Sequence, residues 1–348
     1  MIRALLLLCL LALPAAAREG EALDMTGRFE GKEGKRARDL SGIACRPGSF
    51  PLDCLLENDE SGFAQRATLH RHTLEAGAIM PLIGDRPPAE AAGSATALGT
   101  CPGGTAGWGE FDGEAVAFRA EAGGAGSVFV AGSHSCSRSL PARLRASTHL
   151  LARIGVDAAG RYGAPALSWR LTPMLRALPV LGGHVGQPLT AAAQGLDIEG
   201  MAAIGETLVF GLRAPVLDGE AFIVTAAAAA LFDPAPPADR SLTAAVARIP
   251  LGPGTGIRDL AALPDGRLLV LSGPAQDQDL PFGLHLVHPG PAPRWVPLPL
   301  LPDLQAKPGE KAEGVAVLGI ADGKLTALVL FEDPQAGGAR LYTLPLPR

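Results

Sequence analysis

The sequence predicts an all-β fold, a β-propeller of five four-stranded blades closed by an N-terminal strand. Three observations predict it. A strand-start pattern recurs five times: a polar or charged residue, a small one, then an apolar-Ala strand. Long helical periodicity is nearly absent, which argues against parallel βαβ architecture. One strand is left over at the N-terminus, and the last repeat lacks its outer strand.

The repeats begin at DLSGIA (39–44), DGEAVA (112–117), DIEGMA (197–202), GIRDLA (256–261) and KAEGVA (311–316). Their starts at Ser41, Glu114, Glu199, Arg258 and Glu313 are 73, 85, 59 and 55 residues apart. Solenoid repeats are shorter and stricter, whereas a propeller blade with a loop insertion fits. A second apolar strand follows each start: LDCLLENDES (52–61), SVFVAGSHS (127–135), TLVFGLRAP (207–215), RLLVLSGPAQD (267–277) and LTALVLFEDP (325–334). Pro264-Asp265-Gly266 and Asp322-Gly323 supply hairpin turns between such strands.

Third and fourth strands are expected at 65–75 and 78–84, 148–158 and 166–171, 219–227 and 244–252, and 282–289 and 293–301. The fifth repeat has only 339–347. Residues 24–30, DMTGRFE, are expected to pair with that last blade and close the ring, removing an exposed sheet edge. Only 172–181 and 190–195 read as helical. A β-sandwich is the rival, but it leaves the recurring strand start unexplained.

At 348 residues the chain easily buries a core. Lys+Arg 30 against Asp+Glu 35 gives a net charge of −5 and excludes a strongly basic nucleic-acid binder. Met1 to Arg3, the apolar run Ala4 to Leu13, Pro14 and Ala15-Ala16-Ala17 read as a signal peptide cleaved after Ala17. The apolar run is shorter than the ~20 residues that span a bilayer. A lipid anchor at Cys9 is disfavoured because Leu8 stands where a small residue is required. The expectation is a single domain over 18–348, periplasmic or secreted, monomeric, with no membrane span and no nucleic-acid partner.

Four cysteines remain after cleavage, and an even number in an exported chain reads as disulfides. Of three possible pairings, Cys45–Cys54 within one hairpin and Cys101–Cys136 between a Gly-rich loop and a strand end are favoured. A zinc site is disfavoured, because no CxxC occurs.

In a propeller the first strand of each blade lines the channel. Ser41, Glu114, Glu199, Arg258 with Asp259, and Glu313 should therefore converge. The ends of the second strands supply Asp59, Glu60, His134, Arg213, Asp277, Glu332 and Asp333. Converging carboxylates repel unless they bind a cation, share protons or pair with arginine. Calcium, which takes 6–8 oxygen ligands, is the candidate cofactor, with Glu114, Glu199 and Glu313 as its ligands. Asp59, Glu60, His134, Arg213, Arg258, Asp259, Glu332 and Asp333 are the candidate ligand-binding residues. The same acids could instead be struts that accept backbone N–H bonds from the next blade. Gly42, Gly200 and Gly314 after the ring residues point to close backbone packing. His70 and His72 alternate within an expected strand, away from the channel. Walker A, HExxH and GxSxG motifs are absent, and nothing defines a nucleophile.

DLSGIA with LENDES, DGEAVA with AGSHS, DIEGMA with VFGLRAP, GIRDLA with LSGP, and AEGVAV with LFEDP resemble a bacterial domain-of-unknown-function family numbered 3616, over roughly residues 38–345. That family is similar, more distantly, to phytase-like and esterase-like propellers. There, channel-mouth acids can hold calcium. The resemblance implies a propeller and leaves the activity open. One departure is Ser41, which stands where other units carry an acid. Two functions follow as expectations. The first is an exported module that binds a small molecule or protein on the channel face. The second is a calcium-dependent hydrolase of phosphate or carboxylate esters. Arg213 and Arg258 are few cations for a highly charged anionic substrate, which favours the first.

Overall fold

The computed structural model describes residues 20–48, 50–233, 244–290, 292–299, 301–305, 310–332 and 338–347. The signal-peptide segment, its cleavage site after Ala17, and Asp333 lie outside the described residues.

The fold is a five-bladed β-propeller. The chain begins with two short strands, β1 (Glu21–Ala22) and β2 (Asp24–Thr26). Blade 1 is β3 (Leu40–Cys45), β4 (Leu52–Asn58), β5 (Phe63–Leu69) and β6 (Thr73–Pro81). Blade 2 is β7 (Gly113–Ala120), β8 (Gly126–Gly132), β9 (Leu151–Val156) and β10 (Tyr162–Ser168). Helix α1 (Leu171–Ala177) follows it. Blade 3 is β11 (Asp197–Ile204), β12 (Thr207–Ala214), β13 (Ala221–Ala227) and β14 (Ala244–Ile249). Blade 4 is β15 (Thr255–Ala262), β16 (Leu268–Pro274), β17 (Gly283–His288) and β18 (Arg294–Pro297). Blade 5 is β19 (Lys311–Ala321), β20 (Lys324–Glu332) and β21 (Gly338–Pro345), with β1 as its outer strand.

The closing strand lies a few residues earlier than expected. Glu21 and Ala22 pair antiparallel with Leu341 and Arg340 of blade 5. Residues 24–26 do not join that blade; they run parallel to β6 on the edge of blade 1. Leu23 sits between the two pairings. Its N–H donates to Ala339 O at 2.9 Å, while the next N–H, of Asp24, donates to His72 O at 3.0 Å. The Leu23 side chain is buried with Leu74, Leu328 and Ala339. An extended chain bonds to one side with alternate residues, so a strap laid over a crease can serve both blades. A second correction concerns 65–75, read as one strand. The strand ends at Leu69, and His70, Arg71 and His72 form the turn into β6, where His70 N–H donates to Thr73 O at 2.8 Å.

Both faces of every sheet are apolar, because each blade packs against two neighbours. The described core falls accordingly into five clusters, one per crease. Leu55 and Ala64 meet Val116 and Val128 between blades 1 and 2. Phe129 and Leu151 meet Met201 and Phe210, with Leu171 and Leu175 of α1, between blades 2 and 3. Val209 and Ile223 meet Leu260 and Val270 next. Leu269 and Leu271 meet Val315 and Val329 after that. Leu328 and Leu330 close the circle against Ile43 and Leu56. Both expected disulfides are present. Cys45 and Cys54 are cross-strand partners in β3 and β4, and Cys101–Cys136 ties the loop before blade 2 to the loop after β8.

Near the axis the innermost strands crowd. A Cβ on Gly200 would lie 2.9 Å from the backbone of Asp259 and Leu260 in the next blade. Gly200→Ala is therefore expected to cost about 1–3 kcal/mol through overpacking. Gly319, in the same kind of strand with nothing within 4 Å of such a Cβ, should tolerate alanine within about 0.5 kcal/mol. Urea denaturation of the two variants checks the contrast.

Candidate functional site: an acidic cavity at the channel mouth

Each innermost strand carries an irregularity at the same place. In β3 the register passes from Leu40↔Asn58 to Gly42↔Glu57, leaving Ser41 unpaired. In β7 it skips Glu114, in β11 Glu199, in β15 Arg258, and in β19 Glu313. A bulge re-aims one side chain without moving the rest of the strand. All five bulge residues line one cavity of about 200 Å³. Two residues further on stand Ile43, Val116, Met201, Leu260 and Val315, each at most 2% exposed. With their neighbours these line a small apolar cavity of about 100 Å³. The channel lining thus changes from charged at the opening loops to apolar along the axis.

Part of the ring neutralises itself. Arg213 Nη1 lies 2.5 Å from Glu199 Oε1, and Arg258 Nη1 lies 2.9 Å from Glu199 Oε2. The other Arg258 Nη donates to Glu313. Arg213 Nε donates to Ala275 O at 2.8 Å. Burial alone would raise the Glu199 carboxyl, but the three arginines 213, 258 and 138 outweigh it and hold it below the usual range. Glu313 is raised by burial, against the pull of Arg258.

Glu114 is different. It is 7% exposed, lines the cavity, and its carboxylate has no ion-pair or hydrogen-bond partner among the described residues. Burial, then Glu199, Asp112 and Asp59, push it well above the ordinary carboxylate range. Its acidic surroundings behave alike. Asp59 is pushed up to about 8 by burial and by Asp112 and Asp39. Asp197 reaches about 7 through burial and Glu199. Asp39 reaches about 6 through burial and its neighbour Glu332. Glu60 and Glu332 complete the rim, with Lys311 3.0 Å from Glu332.

Two expected ligand-binding residues are not in the cavity lining. His134 is 1% exposed, and its Nδ1 lies 2.8 Å from Thr172 Oγ1 on α1. His149 shares that hydroxyl at 3.0 Å. Burial keeps both imidazoles neutral, His149 down at about 4. Asp259 is fully buried. It accepts the N–H of Leu260 at 2.7 Å and of Val315 in blade 5 at 2.6 Å, so it clamps one blade to the next. Asp277 is exposed and lies outside the lining.

The structure adds residues that the sequence reading missed. Asp39, Asp112, Asp197 and Lys311 each stand two positions before a bulge residue, so the repeat itself carried that signal. Arg138 carried none. It lies in a loop with no repeat counterpart, brought to the rim by Cys101–Cys136.

The trio Glu114, Glu199 and Glu313 fits calcium poorly. Two of its carboxylates already hold guanidinium groups. Among the described residues no group of three or more His, Cys, Asp or Glu side chains has a metal-holding arrangement.

The family profile described as a protein of unknown function (DUF3616) matches residues 158–341, more than half of the chain. The chain belongs to the DUF3616 family. The matched stretch contains Glu199, Arg213, Arg258 and Glu313 of the DUF3616 site, while Ser41, Asp59, Glu114 and Arg138 precede it. Similar solved structures include a putative glycoside hydrolase from Bacteroides ovatus ATCC 8483, 10% identical, with 96% of each chain covered and a TM-score of 0.41. Another, described as a glycoside hydrolase, is 8% identical and covers 96% of this chain and 93% of its own, at 0.45. A luciferin-regenerating enzyme is 11% identical over 89% of this chain and 78% of its own, at 0.34. No curated protein matches.

The raised carboxyls fix a pH dependence. A carboxyl raised on folding holds its proton more tightly in the folded chain. It weakens folding as pH climbs from the unfolded value, about 4, through the folded one. Asp39, Asp197 and Asp59 should lower the melting temperature progressively between pH 5 and pH 8. Asp59→Asn, which mimics the protonated acid, should raise it at pH 8 and by much less at pH 5. Melting curves of both proteins at the two pH values test this.

Proposed function

We propose that the protein is an exported binding module that takes a small polar ligand in the acidic cavity at the channel mouth. The observation that carries this reading is Glu114. A carboxylate buried without a partner costs stability, and the same ring shows how such a cost is avoided, by pairing with arginine at Glu199 and Glu313. Glu114, left unpaired and facing a cavity, is suited to pair with something that arrives from outside. The polar lining, four cations among seven acids, suits a ligand held by several charge-assisted hydrogen bonds. Export is supported by the two disulfides, which persist in oxidising compartments. Among the described residues no helix is long and apolar enough to cross a membrane.

The calcium-dependent ester hydrolase reading lacks its donor set, as Glu199 and Glu313 are engaged. The test that separates the two readings is a thermal-shift screen with calcium, chelator, small amines, polyols and monosaccharides, beside assays with p-nitrophenyl phosphate and acetate. A ligand that binds the native state raises its melting temperature. The expected result is stabilisation by at least one organic solute that Glu114→Gln loses, and no response to calcium or chelator. Ester turnover that needs calcium and disappears in Glu114→Gln would overturn the reading.

A further inference from the structure

Beside the cavity that the bulge residues line lies a second one of about 190 Å³. Its walls include Asp112 and Asp197, and it shares Asp59, Glu114 and Arg138 with the first. Arg138 therefore stands between two halves of one acidic chamber. Its side chain is 62% exposed, and its closest acid oxygen, Glu199 Oε1, is 4.0 Å away. It makes no hydrogen bond among the described residues. The contrast with Arg213 and Arg258 is sharp, since those are buried and bonded to carboxylates at close range. The charges that act on Arg138 are Asp197, Glu199, Glu114 and Asp112, which all favour its charged form.

A solvated arginine with no hydrogen bond is held by the field of these acids and not by geometry. Such a side chain can swing outward without breaking a hydrogen bond, giving up only the pull of those acids, which an incoming cation would replace. Its backbone is constrained, because Cys136, two residues before, is tied to Cys101. The cation therefore stays tethered to the rim whichever way it points. Glu114 is the second observation that points to a ligand: more than nine-tenths buried, without a partner, and lining both cavities.

We propose that Arg138 is a tethered placeholder for the ligand, a guanidinium that shields the acidic chamber until an organic cation carrying a guanidinium or ammonium group displaces it and pairs with Glu114. This rests on the reading of the chamber as a binding site and names the chemistry of its ligand. Displacement exchanges one cation for another, so the acids of the chamber never face each other unshielded. A neutral polyol offers no such exchange.

The probe is methylguanidinium, with N-methylurea as its uncharged isostere, titrated calorimetrically into wild type, Arg138→Ala, Arg138→Lys, and Arg138→Ala combined with Glu114→Gln. Arg138→Ala removes a cation that four acids favour, so it should melt somewhat lower without ligand but in one cooperative transition, and that single transition serves as the folding control. The expected result is at least tenfold tighter methylguanidinium binding in Arg138→Ala than in wild type or Arg138→Lys. That gain should disappear in the double variant, and N-methylurea should not bind. Equal, Glu114-dependent binding to wild type and Arg138→Ala overturns the placeholder and leaves the binding site standing. So does N-methylurea binding as well as the cation, which would make the ligand neutral. Weaker binding in Arg138→Ala, or capture of inorganic phosphate that Arg138→Ala abolishes, makes Arg138 an anion contact and also overturns it. If no probe binds any variant and the wider solute screen is silent too, the binding-site reading falls with it.

Discussion

Five sheets that share one axis leave little room where their first strands meet, and that crowding governs the rest of the molecule. Glycine at position 200 lets one blade's backbone approach the next. The repeated bulge turns one side chain per blade toward the axis. The fold thus gathers five side chains that are far apart in sequence, whatever their chemistry. Selection of those side chains then decides whether the centre is a sealed core or a site. Here it yields a serine, three glutamates and an arginine.

Charge gathered in this way has to be balanced. Blades 3 to 5 balance it internally through the run Arg213, Glu199, Arg258, Glu313. Buried pairs of this kind add little net stability when formed, but breaking one strands a charge and costs about 3–5 kcal/mol. Blades 1 and 2 are not balanced. Their acids lean on partial protonation and on Arg138 at the rim. This asymmetry is the physical basis for placing the ligand beside Glu114 and for assigning a mainly architectural role to the arginine–glutamate run.

Much of this was legible in the sequence, for identifiable reasons. The five strand starts recur because the axis imposes the same local geometry on each blade, so Ser41, Glu114, Glu199, Arg258 and Glu313 could be placed together without coordinates. Cys45–Cys54 followed from hairpin proximity, and Cys101–Cys136 from a Gly-rich loop tied back to a strand end. The closing strand was displaced because a two-residue pairing leaves no periodicity to read. His134 was drawn toward the site because a strand end was expected to face the channel; a positive φ of 55° and the bond to Thr172 turn it away. Asp259 shares the repeat start with Arg258 but points between blades, a distinction only the bulge register reveals. Arg138 lies in an insertion, and insertions are invisible to repeat arithmetic.

The central claim is that Glu114 serves a ligand while Glu199 holds the ring. Urea denaturation of Glu114→Gln and Glu199→Gln at pH 8 tests it most directly. Replacing a carboxyl whose surroundings disfavour its charged form with a neutral amide should leave the first variant as stable as wild type or more so. Taking away the charge that Arg213 and Arg258 share should cost the second about 3–5 kcal/mol. Equal destabilisation of both would show that Glu114 is a strut like Glu199 and contradict the account.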